Sequence, residues 1–189
     1  MIFTFLEIVY LVILTFSIGY IFSGFFIRRP RTGDILDQYK KRNRWFDWES
    51  MKFAILVTAP AVVLHELGHK FVAMAYGLSA TFKIWSVGLG IGIILRLVGS
   101  PFILVAPGYV AITQGATASQ MGWIAFAGPA VNLVMWIGSW LLLKFRTFDR
   151  NWTIGLNITS RINMILFFFN MIPFGPLDGA KILNAFIGT

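Results

Sequence analysis

The chain has 189 residues, of which 57% are hydrophobic and 13% charged, and its formal net charge at pH 7 is +8. Soluble domains carry about twice this charged fraction, so the composition and a mean hydropathy of +0.74 indicate one membrane-embedded domain, residues 1–189. The chain has no cysteine, which excludes disulfides and thiolate metal ligands.

The first 52 residues divide into an apolar run and a basic connection. Ile2–Ile27 is too long for the apolar core of a signal peptide and lacks a basic start, so it predicts a retained transmembrane helix. Arg28–Lys52 holds eight of the sixteen Lys and Arg residues, together with Trp45, Phe46 and Trp48, which are typical of a membrane interface. The connection at 28–52 is therefore predicted to contact anionic lipid headgroups and not nucleic acid, because no nucleic-acid-binding motif accompanies the charge.

The second apolar run, Phe53–Tyr76, predicts a transmembrane helix that contains both histidines of the chain in the motif His65-Glu66-x-x-His69. Positions i and i+4 share one face of a helix, so the two imidazoles can bind one Zn²⁺ ion. Glu66 between them can act as the general base. Ionisable side chains are costly in hydrocarbon, which favours a functional site over a polar contact between helices.

The next stretch, Leu78–Gln120, is predicted to be irregular. Gly88–Ile93 alternates glycine with apolar residues, which indicates a short strand or a tightly packed re-entrant segment. Pro107–Ile112 is β-prone and begins with a turn signal, so a short strand is predicted there. Thr113–Gln120 is polar and is predicted to be a loop.

The last third of the chain contains two more apolar runs, Met121–Leu143 and Trp152–Ile172, which predict two more spans. Ala180–Ile187 is too short to cross a bilayer. The predicted fold class is a mostly α, polytopic membrane protein: a bundle of about 4–6 transmembrane or half-membrane helices with a short β or re-entrant segment. We expect an integral, multi-pass protein of the cell (cytoplasmic) membrane.

A catalytic zinc site needs a third protein ligand besides the two histidines, and a carboxylate is the natural candidate here. Apart from Glu66 of the motif, Glu7 and Asp178 are the two carboxylates outside the basic loops. Asp178 is favoured because Pro173, Gly175 and Pro176 break the preceding helix and let a side chain reach inward from unwound backbone. Glu7 remains the alternative. Solvated salt bridges are the ordinary explanation for the other candidates, Asp34, Asp37, Asp47, Glu49 and Asp149.

Three motifs follow one another along the chain: His65-Glu66-x-x-His69, Gly128-Pro129-x-x-Asn132, and Asn170-x-x-Pro173 leading to Leu177-Asp178-Gly179. In this order and spacing they resemble the site-2 protease family of intramembrane zinc metalloproteases. The similarity covers a core from about Phe53 to Gly179, preceded by an extra transmembrane helix at 1–27 and the basic loop at 28–52.

The resemblance implies that His65, His69 and Asp178 ligate one zinc ion per chain and that Glu66 activates its water. It also implies that the chain cleaves transmembrane segments of other proteins. The chain departs from larger family members, since no inserted peptide-binding domain and no nucleotide-sensing domain is expected. Orientation stays open: the basic loop at 28–52 indicates the cytoplasmic side, whereas the usual topology of the family places that loop outside.

Five further residues are predicted to bind the substrate. Asn132 and Asn170 are implied to line the site, where an amide could orient the substrate carbonyl or stabilise the oxyanion, although an interhelical hydrogen bond is the alternative. Gly108, Tyr109 and Val110 lie in the β-prone run, and an edge strand there could pair with an unwound substrate segment. Ordinary packing against the metal-binding helix is the alternative for this run.

Two other functions compete with an endopeptidase. A zinc-binding membrane scaffold or chaperone would bind membrane segments without cutting them, and the presence of Glu66 disfavours it. A metal transporter would need polar residues along a path across the membrane, and the other apolar runs offer few apart from Glu7. Chelator-sensitive cleavage of a reconstituted single-span substrate would separate the three.

Overall fold

The computed structural model describes residues 2–26, 46–100, 108–113 and 115–187. Within these ranges the chain forms six α-helices and one small two-stranded sheet, which confirms the mostly α fold class. In chain order the elements are α1 (Phe5–Ser23, continued by a 3₁₀ turn at Gly24–Phe26), α2 (Trp48–Ala75), β1 (Ala80–Ile84), α3 (Ser86–Leu97), β2 (Gly108–Ile112), α4 (Ala118–Phe145), α5 (Arg150–Asn170) and α6 (Asp178–Phe186).

Three of the helices are long and apolar enough to cross a membrane: α1 with its 3₁₀ turn, α2 and α4. Large apolar side chains on all three point outward, and Phe5, Leu56 and Val134 are each more than half exposed. Such a surface is costly in water and is typical of contact with lipid. The fold therefore supports association with a membrane.

Helix α5 confirms a helix in the region of Trp152–Ile172 but is less apolar than the three candidate spans. It carries Asn157, Arg161 and Asn163, and of these only Asn163 is buried. Helix α5 packs mainly against α4. That α5 crosses a membrane stays a prediction, as does lipid contact by the basic loop at 28–52, of which 28–45 lies outside the described residues.

Helix α2 is the centre of the molecule, because α1, α4, α5 and both strands pack against it. Glycines allow two of these close contacts. A Cβ on Gly19 of α1 would overlap Ile55 of α2, and a Cβ on Gly68 of α2 would lie 2.9 Å from the carbonyl oxygen of Ala127 in α4. The face of α2 with the motif is therefore pressed against α4.

Strands β1 and β2 pair in antiparallel register, from Ala80 opposite Ile112 to Ile84 opposite Gly108. This confirms the predicted strand at Gly108–Ile112, while Pro107 lies outside the described residues. Strand β1 was not predicted, since its residues fell within the stretch expected to be irregular. The side chain of Phe82 is fully buried, and it fixes β1 to the core with Leu14 and Ile18 of α1.

The expectation of a short strand at Gly88–Ile93 is wrong, because these residues belong to helix α3. Gly88, Leu89 and Gly92 are the buried residues of this helix. Gly88 and Gly92, at positions i and i+4, lie on one face of this helix. The alternation of glycine with apolar residues that predicted a strand is therefore also compatible with a helix that packs closely on its glycine face.

Helices α2 and α4 begin earlier than predicted because a capping residue precedes each of them. Asp47 accepts a hydrogen bond from the backbone N–H of Ser50, so α2 starts at Trp48 and not at Phe53. Thr117 and Gln120 form a reciprocal capping box that starts α4 inside the stretch predicted to be a loop. Each cap satisfies backbone donors that would otherwise lack a partner at the helix end.

Candidate metal centre

Three potential metal ligands meet at one point of the buried core. His65 and His69 project from successive turns of α2, and Asp178 is the first residue of α6. Asp178 Oδ2 lies 3.1 Å from His65 Nε2 and 3.2 Å from His69 Nε2, and the two Nε2 atoms are 3.1 Å apart. All three side chains are less than a tenth exposed. The three residues that sequence reasoning favoured as metal ligands are thus brought together.

His65 is oriented by a chain of buried amides. His65 Nδ1 lies 2.6 Å from Asn132 Oδ1, and Asn132 Nδ2 donates to the carbonyl oxygen of Ala61 and to Asn163 Oδ1. Asn163 Nδ2 in turn donates to the carbonyl oxygen of Thr159. Because the Asn132 amide is committed as a donor on one side, its oxygen must accept from His65, whose proton therefore sits on Nδ1.

His69 is held in the same tautomer by the backbone. Its Nδ1 lies 2.7 Å from the carbonyl oxygen of Ile124 in α4, and a carbonyl can only accept a hydrogen bond. With Nδ1 of each ring engaged by these acceptors, Nε2 of His65 and of His69 faces the carboxylate oxygen of Asp178. Two imidazole nitrogens and a carboxylate oxygen this close together form a set of atoms that a shared cation could bridge.

The donor set fits Zn²⁺. Ligands at ~2.0–2.1 Å from a tetrahedral ion are about 3.3 Å from one another, close to the 3.1–3.2 Å found here. Two imidazoles and one carboxylate also form a ligand set of catalytic zinc, which leaves a fourth position for water or substrate. His65, His69 and Asp178 could therefore hold a metal ion.

The chain delivers Asp178 through the predicted break after α5. The backbone turns at Gly175, whose φ of 61° is a left-handed conformation that disfavours other residues. A Cβ on Gly179 would overlap the carbonyl oxygen of Met171, so α6 starts directly against the end of α5. Lys181 Nζ donates to Asp178 Oδ1 at 3.0 Å, which leaves Oδ2 for the histidines.

Glu66 lies beside this group on α2 and is nearly buried, with an exposure of 8%. Its electrostatic neighbours are His65, Asp178 and Lys181. Among the described residues, Glu66 has no hydrogen-bond partner and is not among the side chains that could hold the metal. A carboxylate without a partner beside an open ligand position is able to exchange a proton with a water there.

The structure locates the predicted substrate-binding residues in different places. Asn132 is fully buried, and its amide serves His65. Asn170 donates to the carbonyl oxygen of Leu166 in its own helix, and no hydrogen bond of the described residues joins it to the histidines. Gly108, Tyr109 and Val110 lie on β2. Their binding of substrate stays a prediction.

Glu7, the alternative third ligand, pairs instead with buried Lys70 on another face of α2. Two residues of the site region, Asn163 and Lys181, were not predicted, although each carries a signal in the sequence. Asn163 is a polar residue within an apolar helix, and Lys181 follows Asp178 at the i+3 spacing of a helical ion pair.

Comparison with known proteins finds relatives that are named zinc metalloproteases. A protein of Methanocaldococcus jannaschii, provisionally named a zinc metalloprotease, is 38% identical over 139 residues, 71% of each chain. A second protein of that organism, named a zinc metalloprotease, is 32% identical over 67% of this chain and 32% of its own length. A protein of Bacillus subtilis, also provisionally named a zinc metalloprotease, is 27% identical over 71% of this chain and 68% of its own. No model of a protein family matches, and no solved structure matches.

Gly128 provides a steric test of the site. A Cβ at Gly128 of α4 would overlap the imidazole of His69 and lie 2.7 Å from Cε1 of His65. We expect Gly128→Ala to weaken zinc binding about tenfold or more, because an extra methyl group in a packed site costs about 1–3 kcal/mol. The matched control is Gly138→Ala in the same helix, where a Cβ meets nothing within 4 Å. Equal zinc affinities of the two variants, measured by chelator competition, would contradict this geometry.

Asn163 provides a test of the amide chain. Asn163→Leu removes one acceptor of Asn132 while keeping the size of the side chain, and we expect zinc affinity to fall about 10-fold to 100-fold. Asn157→Leu is the control, because Asn157 also donates to a carbonyl four residues earlier in α5 but is exposed. Chelator competition on both purified variants measures the effect, and a loss in the Asn157 variant alone would refute the role of Asn163.

Proposed function

The chain belongs to the family of zinc metalloproteases that its relatives represent, and we propose that it is an intramembrane zinc endopeptidase of the site-2 protease type. It would cleave peptide bonds within or next to transmembrane segments of other membrane proteins. The observation that carries this proposal is the meeting of His65, His69 and Asp178 beside the free carboxylate of Glu66, on a helix able to cross a membrane.

The depth of the site along α2 supports cleavage inside the membrane. His65 follows Trp48, the first residue of α2, by 17 positions, which corresponds to roughly 26 Å at ~1.5 Å per residue. The hydrocarbon core of a bilayer is about 30 Å thick. His69 precedes Ala75, the last residue of α2, by six positions, or roughly 9 Å on the same scale. The histidines thus lie inside α2 and away from both of its ends, so a substrate bond at their level would itself lie within the membrane.

The residues of the site divide the hydrolysis between them. A zinc ion held by His65, His69 and Asp178 would supply a water of lowered pKa and polarise the scissile carbonyl. Glu66 accepts a proton from the attacking water and later donates it to the leaving amide nitrogen as the C–N bond breaks. Lys181 and Asn132 keep Asp178 and His65 in place during both steps.

Substrate uptake is proposed for the small sheet. A transmembrane helix must unwind before its peptide bonds become accessible, and its freed N–H and C=O groups then need partners. A strand edge at Gly108, Tyr109 and Val110 offers such partners. We also retain Asn170 as a substrate contact, because it ends α5 just before the turn that delivers Asp178.

A zinc-binding scaffold or chaperone without proteolytic activity is the second candidate. The same three ligands would serve it, and the sheet edge could hold a membrane segment uncut. Glu66 favours the peptidase, because a carboxylate beside the three ligands, without a hydrogen-bond partner among the described residues, is free to exchange a proton with a water there.

Glu66→Gln tests the mechanism. The amide has nearly the size of the carboxylate but cannot take up the proton, so we expect cleavage of a reconstituted single-span substrate to fall at least about 100-fold. Bound zinc should stay at one ion per chain, as measured by atomic absorption of the purified protein. Full cleavage by this variant would refute the assigned role.

Glu49→Gln is the matched control for that experiment. Glu49 lies in the first turn of the same helix and pairs with Lys52 on an exposed surface. We expect neither cleavage nor zinc content to change in this variant. If a chelator leaves the cleavage by the unmodified chain intact, the zinc peptidase proposal itself fails.

A further inference from the structure

A buried ion pair closes one side of the sheet. Glu7 of α1 and Lys70 of α2 are 2% and 1% exposed and form a salt bridge. Lys70 Nζ also donates to the carbonyl oxygen of Ala80 at 2.8 Å, and the backbone N–H of Phe82 donates to Glu7 Oε1 at 2.8 Å. Two charged side chains thus bind the backbone of β1 directly.

These contacts identify the outer edge of β1. In an antiparallel pair, alternate residues direct their N–H and C=O groups towards the partner strand and away from it. Because Phe82 donates to Glu7, its polar groups point away from β2, and those of Ala80 and Ile84 do so as well. A strand added here would compete with the ion pair for groups that are already bonded, and it would meet α1, which packs against β1.

The outer edge of β2 is different. Gly108, Val110 and Ile112 stand opposite Ile84, Phe82 and Ala80, so their polar groups also point away from the partner strand. Within the described part of the chain, no strand pairs with this edge.

Strand β2 is also adjacent to the metal centre. Val110 and Ile112 pack in one cluster with Ile124 of α4. The carbonyl oxygen of Ile124 is the group that orients His69. A segment paired with β2 would therefore lie next to an element that holds a metal ligand.

We propose that the Glu7–Lys70 ion pair closes the outer edge of β1, so that an unwound membrane segment pairs only with β2, at Gly108, Val110 and Ile112. This rests on the proposed function for the nature of the segment. An exposed strand edge accepts any extended chain, and filling its polar groups from within the protein is a way to prevent that. The ion pair is thus a positioning pair that acts on the substrate through the sheet and does not touch the metal ligands.

Cysteine cross-linking tests which edge is used, because the chain has no cysteine of its own. Tyr109 and Lys83 are cross-strand neighbours with exposed side chains, so Tyr109→Cys and Lys83→Cys form a matched pair. A segment on the outer edge of β2 lies one strand spacing of ~4.8 Å from Tyr109 but two spacings from Lys83. A disulfide needs Cα atoms within about 7 Å.

The probe is a single-span membrane peptide whose apolar run is interrupted by glycines, with one cysteine moved along that run. In a Glu66→Gln background, which keeps the probe intact, we expect at least about tenfold more cross-linking to Tyr109→Cys than to Lys83→Cys. Equal cross-linking, preference for Lys83→Cys, or none at either position overturns the assignment. Cross-linking does not require cleavage, so a preference for Tyr109→Cys would stand even if the chain that retains Glu66 had no peptidase activity, and that second result would refute the proposed function alone.

The role of the ion pair is tested by Glu7→Gln combined with Lys70→Met, which removes both charges without leaving one unpaired. We expect zinc content to be unchanged and the preference for Tyr109→Cys to fall at least about threefold, since the Ala80 carbonyl loses its donor and α1 loses the charged contact that holds it against α2 beside β1. An unchanged preference refutes the role of the pair. If the double variant loses zinc, the same cross-linking preference is measured in Glu7→Gln alone, which keeps an acceptor for the backbone N–H of Phe82. Lys70→Arg keeps the positive charge and should retain the preference for Tyr109→Cys.

Discussion

The approach of Asp178 to the two histidines is the contact on which the rest of the molecule depends. Helix α5 must end, the backbone must turn at Gly175, and α6 must begin against Met171 before the carboxylate reaches α2. The close packing of α2 on α4 also supports this contact. The backbone of α4 supplies the carbonyl of Ile124 that orients His69, and Gly128 of α4 leaves room for both imidazoles. Apolar packing alone would not require this arrangement, whereas the binding of a shared cation would.

Polar groups in this core are satisfied in small closed sets. Asn132 donates a hydrogen bond to Asn163, and both amides also donate to backbone carbonyls. Glu7 and Lys70 form an ion pair in which both side chains also bind the backbone of β1. An unpaired polar group is costly in such surroundings, so a set of this kind also fixes the relative positions of the elements that contribute to it. Glu66 stands apart because its carboxylate belongs to no such set in the described part of the chain.

Local parts of the site could be predicted from the sequence, and contacts across the fold could not. The spacing of His65 and His69 follows from the helix repeat, and Asp178 followed from the scarcity of other ligands and the broken helix before it. Asn163 was not predicted because its role comes from a hydrogen bond to Asn132 on another helix, and the sequence does not show which helices pack together. Strand β1 was not predicted because its pairing with β2 and its contact with Glu7 join residues at least 24 positions apart. Helix α3 was misassigned because alternate glycines suit both a strand and a helix.

The order of the ligands along the chain has a consequence in time. His65 and Asp178 are separated by 113 positions, so the donor set stays incomplete until α6 has been synthesised and packed. Up to that moment a growing chain holds two imidazoles and Glu66 without the carboxylate that completes the candidate metal centre. The three ligands therefore come together only in the packed fold, and not when α2 itself has formed.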